Sequence, residues 1–156
     1  MKRYLLILSL FVAVLASCSK DNSTQFDAAA QAAKDEADIQ LYIKAHPEIS
    51  VTKDANGVYY QVIKEGTGVN ATINNTVTVN YVGTLLSGAQ FDANNGVSFP
   101  LSGVIAGWQY GIPHVKAGGR IFLIVPSALG YGNRAASDKL PANSVLVFTV
   151  DVLSVK

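Results

Sequence analysis

The side chain most able to form an unusual site is the single tryptophan of the chain, Trp108. It lies in the segment VIAGWQYGI, Val104 to Ile112, where its neighbours are small or apolar and carry no charge. An indole in such a segment either fills a β-rich core or forms part of an open apolar pocket. On composition alone both interpretations stay open, and the second is the one that predicts a function.

Motifs for covalent or metal chemistry do not occur in the sequence. The two histidines, His46 and His114, are far apart and have no cysteine nearby, so neither is a good metal ligand. There is no GxSxG elbow, no Walker loop, no GxGxxG after a strand and no HExxH. We therefore expect no metal and no cofactor, and any chemistry must proceed without a covalent nucleophile.

Composition points to one globular domain with additional segments. The chain has 156 residues, 49% of them hydrophobic, and a formal net charge of +1. A charge this close to neutral does not suggest a nucleic-acid partner.

The first 17 residues have the pattern of a secretion signal. Lys2 and Arg3 precede an apolar run from Leu5 to Ala16, and the segment LASC ends at Cys18. LASC resembles a bacterial lipobox, which predicts cleavage before Cys18 and lipid attachment to this only cysteine. The run is short for a bilayer, so a retained transmembrane helix is the weaker alternative. We expect a lipid anchor in the cell envelope, on the outer membrane, with residues 18–25 as a polar tether.

Residues 26–57 are predicted to form a helical N-terminal extension. Thr24 and Asp27 are expected to cap a helix that ends before Pro47. The helix is expected to pack lightly through an alanine-rich stripe, on the domain or on a second copy, or else to serve as a spacer. The stripe comprises Phe26, Ala30, Ala33, Ala37, Leu41 and Ala45.

From residue 58 to residue 156 the pattern changes to short β-rich runs separated by glycine. Strands are predicted over 58–63, 76–86, 120–125 and 144–155, with a two-residue hairpin loop at Ser87 and Gly88. One short helix is predicted to contain Val104, Ile105, Trp108 and Ile112, spaced three and four residues apart. These elements predict an α+β domain in which the helix lies across one face of an antiparallel sheet.

Five ordered segments of this region resemble one family, the FKBP-type peptidyl-prolyl cis-trans isomerases. They are VNYVGTLLSGAQFD, FPLSGVIAGWQYGI, VKAGGRIFLIVP, LGYG and LPANSVLVFTVDVL. The resemblance implies a twisted antiparallel half-barrel around the short helix. With the lipobox and the preceding helix, the chain resembles the exported lipoprotein form of the family.

The resemblance also implies a proline pocket. Trp108 would form its floor, the Ile105 N–H and the Tyr131 hydroxyl would bind a carbonyl group, and Asp92 would lie beside it. The implied catalytic residues are Tyr81, Asp92, Ile105, Trp108 and Tyr131, and the implied substrate-binding residues are Phe91, Val97, Val104, Leu140 and Phe148. Taken alone, the phenylalanines could be core residues, the tyrosines could satisfy buried neighbours, and Asp92 could open a turn.

Two departures from the family pattern affect this pocket. The connection between Phe91 and Phe99 is short, DANNGVS, and is expected to be a loop that leaves Asp92 less fixed. Val97 occupies a position where many members have phenylalanine. Both differences predict a wider and wetter pocket.

The function that the resemblance implies is isomerisation of X-Pro bonds in exported proteins. Expected partners are proline-containing polypeptides, the membrane through the anchor, and macrolide inhibitors. The alternatives are a proline-binding chaperone with little turnover and a structural scaffold.

Overall fold

A computed structural model of the chain describes residues 26–156. The predicted signal, Cys18, Thr24 and the polar tether lie outside the described residues. In the part described, the expected α+β architecture is confirmed: an antiparallel sheet with one short helix on one face and a longer N-terminal helix on the other.

The sheet has six strands in the order β1-β2-β5-β6-β3-β4, and every neighbouring pair is antiparallel. The main core lies on its inner face. Along each strand, successive side chains point alternately to the inner and the outer face. On β5, for example, Leu123 belongs to the inner core and Ile124 to a second hydrophobic cluster on the outer face. The buried residues of this outer cluster are Ile39, Tyr59, Ile124, Val145 and Val147. The strands are β1 Thr52–Lys53, β2 Tyr59–Lys64, β3 Thr76–Leu85, β4 Gln90–Pro100, β5 Arg120–Val125 and β6 Leu146–Val155.

The hairpin between β3 and β4 forms where the sequence predicts it, but its loop is one residue longer. The Leu85 N–H donates to the Ala89 carbonyl at 2.9 Å and the Gly88 N–H to the Leu85 carbonyl at 2.9 Å. The loop is therefore 86–88. Gly88 has φ 83°, the left-handed conformation that closes a hairpin of this length.

The expected loop at 92–98 is wrong, because β4 continues through it. A bulge interrupts the pairing between Tyr81↔Asn94 and Val79↔Val97. At the bulge, Gly96 has φ 65° and its N–H donates to Asn80 Oδ1 at 2.7 Å. The glycine and this hydrogen bond accommodate the extra residue without ending the strand.

The short helix α2, Ala106–Gly111, begins later than the sequence pattern predicts. Val104 precedes it in extended conformation, Ile105 is its N-cap residue, and Ile112 lies in the 3₁₀ turn that follows. Two glycines let α2 lie very close to β5. A Cβ added at Gly107 would be 2.3 Å from Val125 Cγ1, and one at Gly111 would be 2.6 Å from Leu123 Cδ2.

The N-terminal helix α1, Ala28–Ala45, is capped by Asp27, whose carboxylate accepts the Ala29 and Ala30 N–H groups. The alanine stripe does not pack on the domain as predicted: it is exposed in this chain, and Leu41 is 66% exposed. The buried face carries Ile39, with Tyr42 and Ile43 beside it. These larger side chains bury more apolar area against the sheet than alanines can.

The segment after α1 joins the same sheet. β1 pairs with β2 through Thr52↔Tyr60 and Lys53↔Tyr59, and Ile49 and Val51 contact the outer cluster. Residues 26–57 therefore contribute one helix and one edge strand that pack on the sheet of residues 58–156. Among the helices of residues 26–156, none has the length and apolar character needed to cross a membrane.

Candidate active site

A cavity of about 300 Å³ opens on the inner face of the sheet, beside α2. Strands β3, β4 and β6 supply its walls, α2 and the residues before it supply the floor and one rim, and the segment after β5 supplies Tyr131. The lining residues are Tyr81, Phe91, Asp92, Phe99, Gly103, Val104, Ile105, Trp108, Tyr131 and Phe148.

Trp108 lies at the centre of an aromatic cluster. Its ring is edge-on to three others, with centroid distances of 5.1 Å to Tyr81, 5.4 Å to Phe148 and 5.9 Å to Phe99. These distances and angles are favourable for aromatic pairs. Trp108 is only 4% exposed, yet it lines the cavity. The indole is therefore held rigidly by its neighbours while one part of its surface remains available to a ligand.

Gly83 makes room for two of the cavity rings. A Cβ at this position would lie 2.7 Å from Phe91 Cζ and 2.9 Å from Phe148 Cε1. The rings of Phe91 and Phe148 meet edge-on at 5.6 Å over this glycine. The absence of a side chain in the middle of β3 is thus what lets both phenylalanines reach the cavity.

The polar groups of the cavity lie at one side. The Tyr81 hydroxyl donates to Asp92 Oδ2 at 2.6 Å, so Asp92 is tied to the opposite strand. Burial, followed by this hydrogen bond to a carboxylate, raises the pKa of Tyr81. Burial, followed by the charge of Asp92, also raises the pKa of Tyr131. Both hydroxyls are therefore protonated donors at neutral pH.

The rim at Val104 and Ile105 is fixed by the start of α2. The Ile105 carbonyl accepts the N–H groups of Trp108, at 2.9 Å, and Gln109, at 3.2 Å. The Gln109 side chain returns to the Val104 carbonyl at 2.7 Å. These bonds use the carbonyl groups and hold this backbone against the cavity.

The structure brings together most of the predicted site residues but not Val97 or Leu140. Val97 pairs with Val79 farther along β4 and contacts the core. Leu140 is 3% exposed and packs in the main core, because burying its apolar side chain is favourable, and it thereby holds the polar loop before β6 on the domain. Neither lines the cavity.

Three further residues that shape the cavity were not predicted as part of the site. Phe99 faces it from β4, where it pairs with Val77 on the face of β3 that also carries Tyr81, and this register follows only if 92–98 is recognised as strand. Gly103 lines the rim. Gly83 acts through the absence of a Cβ, for which the sequence carries no direct signal.

The arrangement can bind a compact apolar ring and donate hydrogen bonds at its edge. The lining contributed by residues 26–156 includes no serine, cysteine, histidine or lysine. The same residues hold no group of three or more potential metal ligands. The fold and this cavity define a β half-barrel protein with an aromatic binding pocket.

Comparison with known proteins identifies the family. Residues 68–153 match the FKBP-type peptidyl-prolyl cis-trans isomerase family. The chain is 42% identical over 113 residues to the FKBP-type peptidyl-prolyl cis-trans isomerase FkpA of Escherichia coli strain K12, which is 70% of this chain and 42% of FkpA. It is 40% identical over 106 residues to the peptidyl-prolyl cis-trans isomerase Mip of Coxiella burnetii, which is 65% of this chain and 46% of Mip.

Solved structures agree with these matches. The crystal structure of FkpA from Escherichia coli superposes with a TM-score of 0.71 at 40% identity, covering 82% of this chain and 62% of that one. A peptidyl-prolyl cis-trans isomerase from Pseudomonas syringae gives a TM-score of 0.71 at 28% identity and is covered over 98% of its length. The chain belongs to the FKBP-type peptidyl-prolyl cis-trans isomerase family. It spans less than half the length of the curated relatives named above.

Proposed function

We propose that this protein is a peptidyl-prolyl cis-trans isomerase that binds proline-containing polypeptides in the aromatic cavity. The observation that carries the proposal is the cavity itself: an open hollow with Trp108 at its floor and the hydroxyl of Tyr131 at its side. Its volume suits a small apolar ring such as the pyrrolidine of proline.

Rotation about an X-Pro bond needs no covalent intermediate. Its barrier is about 18–20 kcal/mol, and the uncatalysed reaction takes tens of seconds or more. The planar ground state is stabilised by amide resonance, which separates charge, and the twisted transition state has lost that resonance. A water-poor cavity therefore favours the twisted state over the planar one.

The magnitude required is modest. An acceleration of 10³ to 10⁴ corresponds to about 4–5.5 kcal/mol of preferential transition-state binding. Aromatic walls supply shape and exclude water. The Tyr131 hydroxyl and the Ile105 N–H would each add a hydrogen bond to a substrate carbonyl, worth about 1 kcal/mol apiece.

A protease-coupled assay on a short X-Pro peptide tests this function. The proposal predicts a saturable rate increase proportional to protein concentration. A parallel titration of the same peptide, followed by Trp108 fluorescence, separates the alternatives. Binding without any rate increase would identify a proline-binding chaperone, and neither binding nor rate increase would contradict both proposals and leave a scaffold role.

We also propose that the mature protein is exported and anchored to the cell envelope through lipid on Cys18. The support is the basic start, apolar run and LASC motif of residues 1–18. Labelled palmitate should be incorporated into the full-length chain expressed in a bacterium and not into Cys18→Ser. Equal labelling of the two would contradict the proposal. Clients would then be exported proteins whose folding waits on slow proline steps.

A further inference from the structure

A buried carboxylate on the N-terminal helix has no part in the cavity described above. Asp35 of α1 is 2% exposed, and Ser127, 1% exposed, is the other buried polar residue of the described chain. Asp35 Oδ2 accepts the Ser127 N–H at 2.8 Å, and Asp35 Oδ1 accepts Gln31 Nε2 at 2.7 Å. Burying a carboxylate is costly unless both oxygens find partners, and here they do.

Ser127, the backbone partner of this carboxylate, is hydrogen-bonded to the chain segment that carries Tyr131 of the cavity. Ser127 begins the 3₁₀ turn Ser127–Leu129 that follows β5. Its carbonyl accepts the N–H groups of Gly130, at 3.0 Å, and Gly132, at 2.8 Å. These glycines are the two chain neighbours of Tyr131. Ser127 is thus held by Asp35 through its N–H and holds both sides of Tyr131 through its carbonyl.

Tyr131 depends on such support, because its own side chain packs little. It is 45% exposed, in contrast to the buried Trp108 and Phe148. A side chain at the cavity edge can donate a well-aimed hydrogen bond only if its backbone is fixed.

Docking of α1 does not by itself explain Asp35. Ile39 already anchors the helix in the outer cluster, and Glu36 bonds to Lys53 and Tyr59 of the first two strands. An apolar side chain at position 35 would bury its surface without the desolvation cost of a carboxylate. What the carboxylate provides is a directed bond to the backbone of the turn.

We propose that Asp35 is a positioning residue for the isomerase reaction: through Ser127 it fixes the backbone that carries the Tyr131 hydroxyl into the proline pocket. The N-terminal helix is thereby part of the reaction geometry. This inference rests on the proposed function, in which Tyr131 binds the substrate carbonyl.

A double-mutant cycle tests the proposal through kcat/KM. Asp35→Ala should lower kcat/KM about threefold to tenfold, the effect of roughly one lost hydrogen bond. In the Tyr131→Phe background, which has no hydroxyl to aim, the same change should have little effect. Asp35→Asn should restore most of the activity, because its amide oxygen can still accept the Ser127 N–H.

Glu36→Ala is the matched control, since it loosens α1 from β1 and β2 and leaves the turn untouched. The proposal predicts no coupling between Glu36→Ala and Tyr131→Phe. If Asp35→Ala lowers activity equally in both Tyr131 backgrounds, or if Glu36→Ala couples as strongly, the positioning role is wrong. Should Asp35→Ala not fold, Asp35→Leu, of similar shape and without an acceptor, replaces it in the cycle.

Amide hydrogen exchange gives a readout that does not depend on activity. In Asp35→Ala the N–H groups of Gly130 and Gly132 should exchange at least about tenfold faster than in the parent, with Glu36→Ala close to the parent. Unchanged exchange at both glycines would overturn the inference. Faster exchange in a protein whose parent shows no isomerase activity would support the mechanical link and reject the proposed function separately.

Discussion

At the scale of single residues, the cavity depends on groups that hold one another in place across strands. The Tyr81 hydroxyl ties Asp92 at 2.6 Å, and the Tyr81 ring meets Trp108 edge-on at 5.1 Å. The ring and the hydroxyl therefore have separable roles. The ring forms the wall, and the hydroxyl keeps the carboxylate fixed beside Tyr131.

Tyr81→Phe separates these roles. It keeps the wall and releases Asp92, so we expect kcat/KM to fall by no more than about fivefold, the equivalent of one hydrogen bond of roughly 1 kcal/mol. Tyr110→Phe is the control, because Tyr110 lies on the exposed side of α2 and outside the cavity. A loss greater than a hundredfold in Tyr81→Phe would mean that the hydroxyl takes a direct part in the reaction.

The family resemblance of the sequence predicts much of this site, whereas residue types alone leave it open. Trp108, Tyr81 and Phe148 were identified because the family segments name their positions, and the structure places all three at one cavity. Phe99 is not among the predicted residues, because the sequence predicts a loop over DANNGVS and the pairing of Phe99 with Val77 requires a strand there. Gly83 is not among the predicted residues because it acts by having no side chain. The space it leaves is needed only because Phe91 and Phe148, from two other strands, meet there.

At the scale of elements, the distance between α2 and β5 determines where Trp108 lies. Gly107 allows the approach, since a Cβ there would meet Val125 Cγ1 at 2.3 Å. The next residue in the helix is Trp108. Any displacement of α2 from the sheet must therefore move the indole.

Gly107→Ala tests this contact against helix propensity. In an unpacked helix alanine would add up to about 1 kcal/mol of stability. Here we expect a net loss of about 1–2 kcal/mol in the free energy of unfolding, because overpacking costs more than propensity returns. Urea denaturation measures it. Gly103→Ala is the control, since its Cβ would meet only Pro100 Cγ at 3.7 Å and should change stability by less than about 0.5 kcal/mol. Increased stability in Gly107→Ala would contradict the close contact between α2 and β5 at Gly107 and Val125.

The docking of α1 on the first two strands should depend on pH through Glu36. Hydrogen bonds from Lys53, at 2.7 Å, and from Tyr59, at 2.5 Å, lower the pKa of Glu36 from its ordinary 4.5 to about 2. A pKa lowered by folding stabilises the protein above the unfolded-state value. That stabilisation is lost as the pH falls from about 4.5 towards 2.

Comparing Glu36→Gln with the parent isolates this effect. The side chains of Glu36 and Lys53 are both more than 40% exposed, so their ion pair should contribute less than about 1 kcal/mol to the free energy of unfolding at pH 7. The difference in the free energy of unfolding between the two proteins should be largest above pH 5 and should shrink by pH 3. A difference that grows on acidification would have the opposite sign from the one that the lowered pKa requires.

At the scale of the whole molecule, the helix and the sheet form one folded unit. The sequence predicts a helical N-terminal extension over 26–57, and in the structure Ile39 of this segment is fully buried against the sheet and β1 adds to its edge. The alanine periodicity predicts the helix but not its buried side. The buried side is determined by the contacts of Ile39, Tyr42 and Ile43 with the sheet. Which face packs depends on the shape of the outer surface of the sheet, and a periodicity within the helix carries no information about that surface.

Ile39→Ala tests whether the unit is cooperative. We expect a loss of about 2–4 kcal/mol, since the change leaves a cavity in the outer cluster. Unfolding followed by Trp108 fluorescence, which reports the inner core, should coincide with unfolding followed by far-UV circular dichroism, which includes α1. Leu41→Ala on the exposed side of α1 should be nearly neutral. Two separate transitions in the parent would show that α1 and the sheet are independent.

The proposed isomerase function depends on the indole at the floor of the cavity. The most direct measurement is kcat/KM on an X-Pro peptide for the parent protein and for Trp108→Leu, each shown to be folded by circular dichroism. We expect clear acceleration by the parent and a loss of tenfold or more in Trp108→Leu, equivalent to at least about 1.4 kcal/mol of transition-state binding. Equal rates for the two folded proteins, or no acceleration by the parent, would contradict the proposed function.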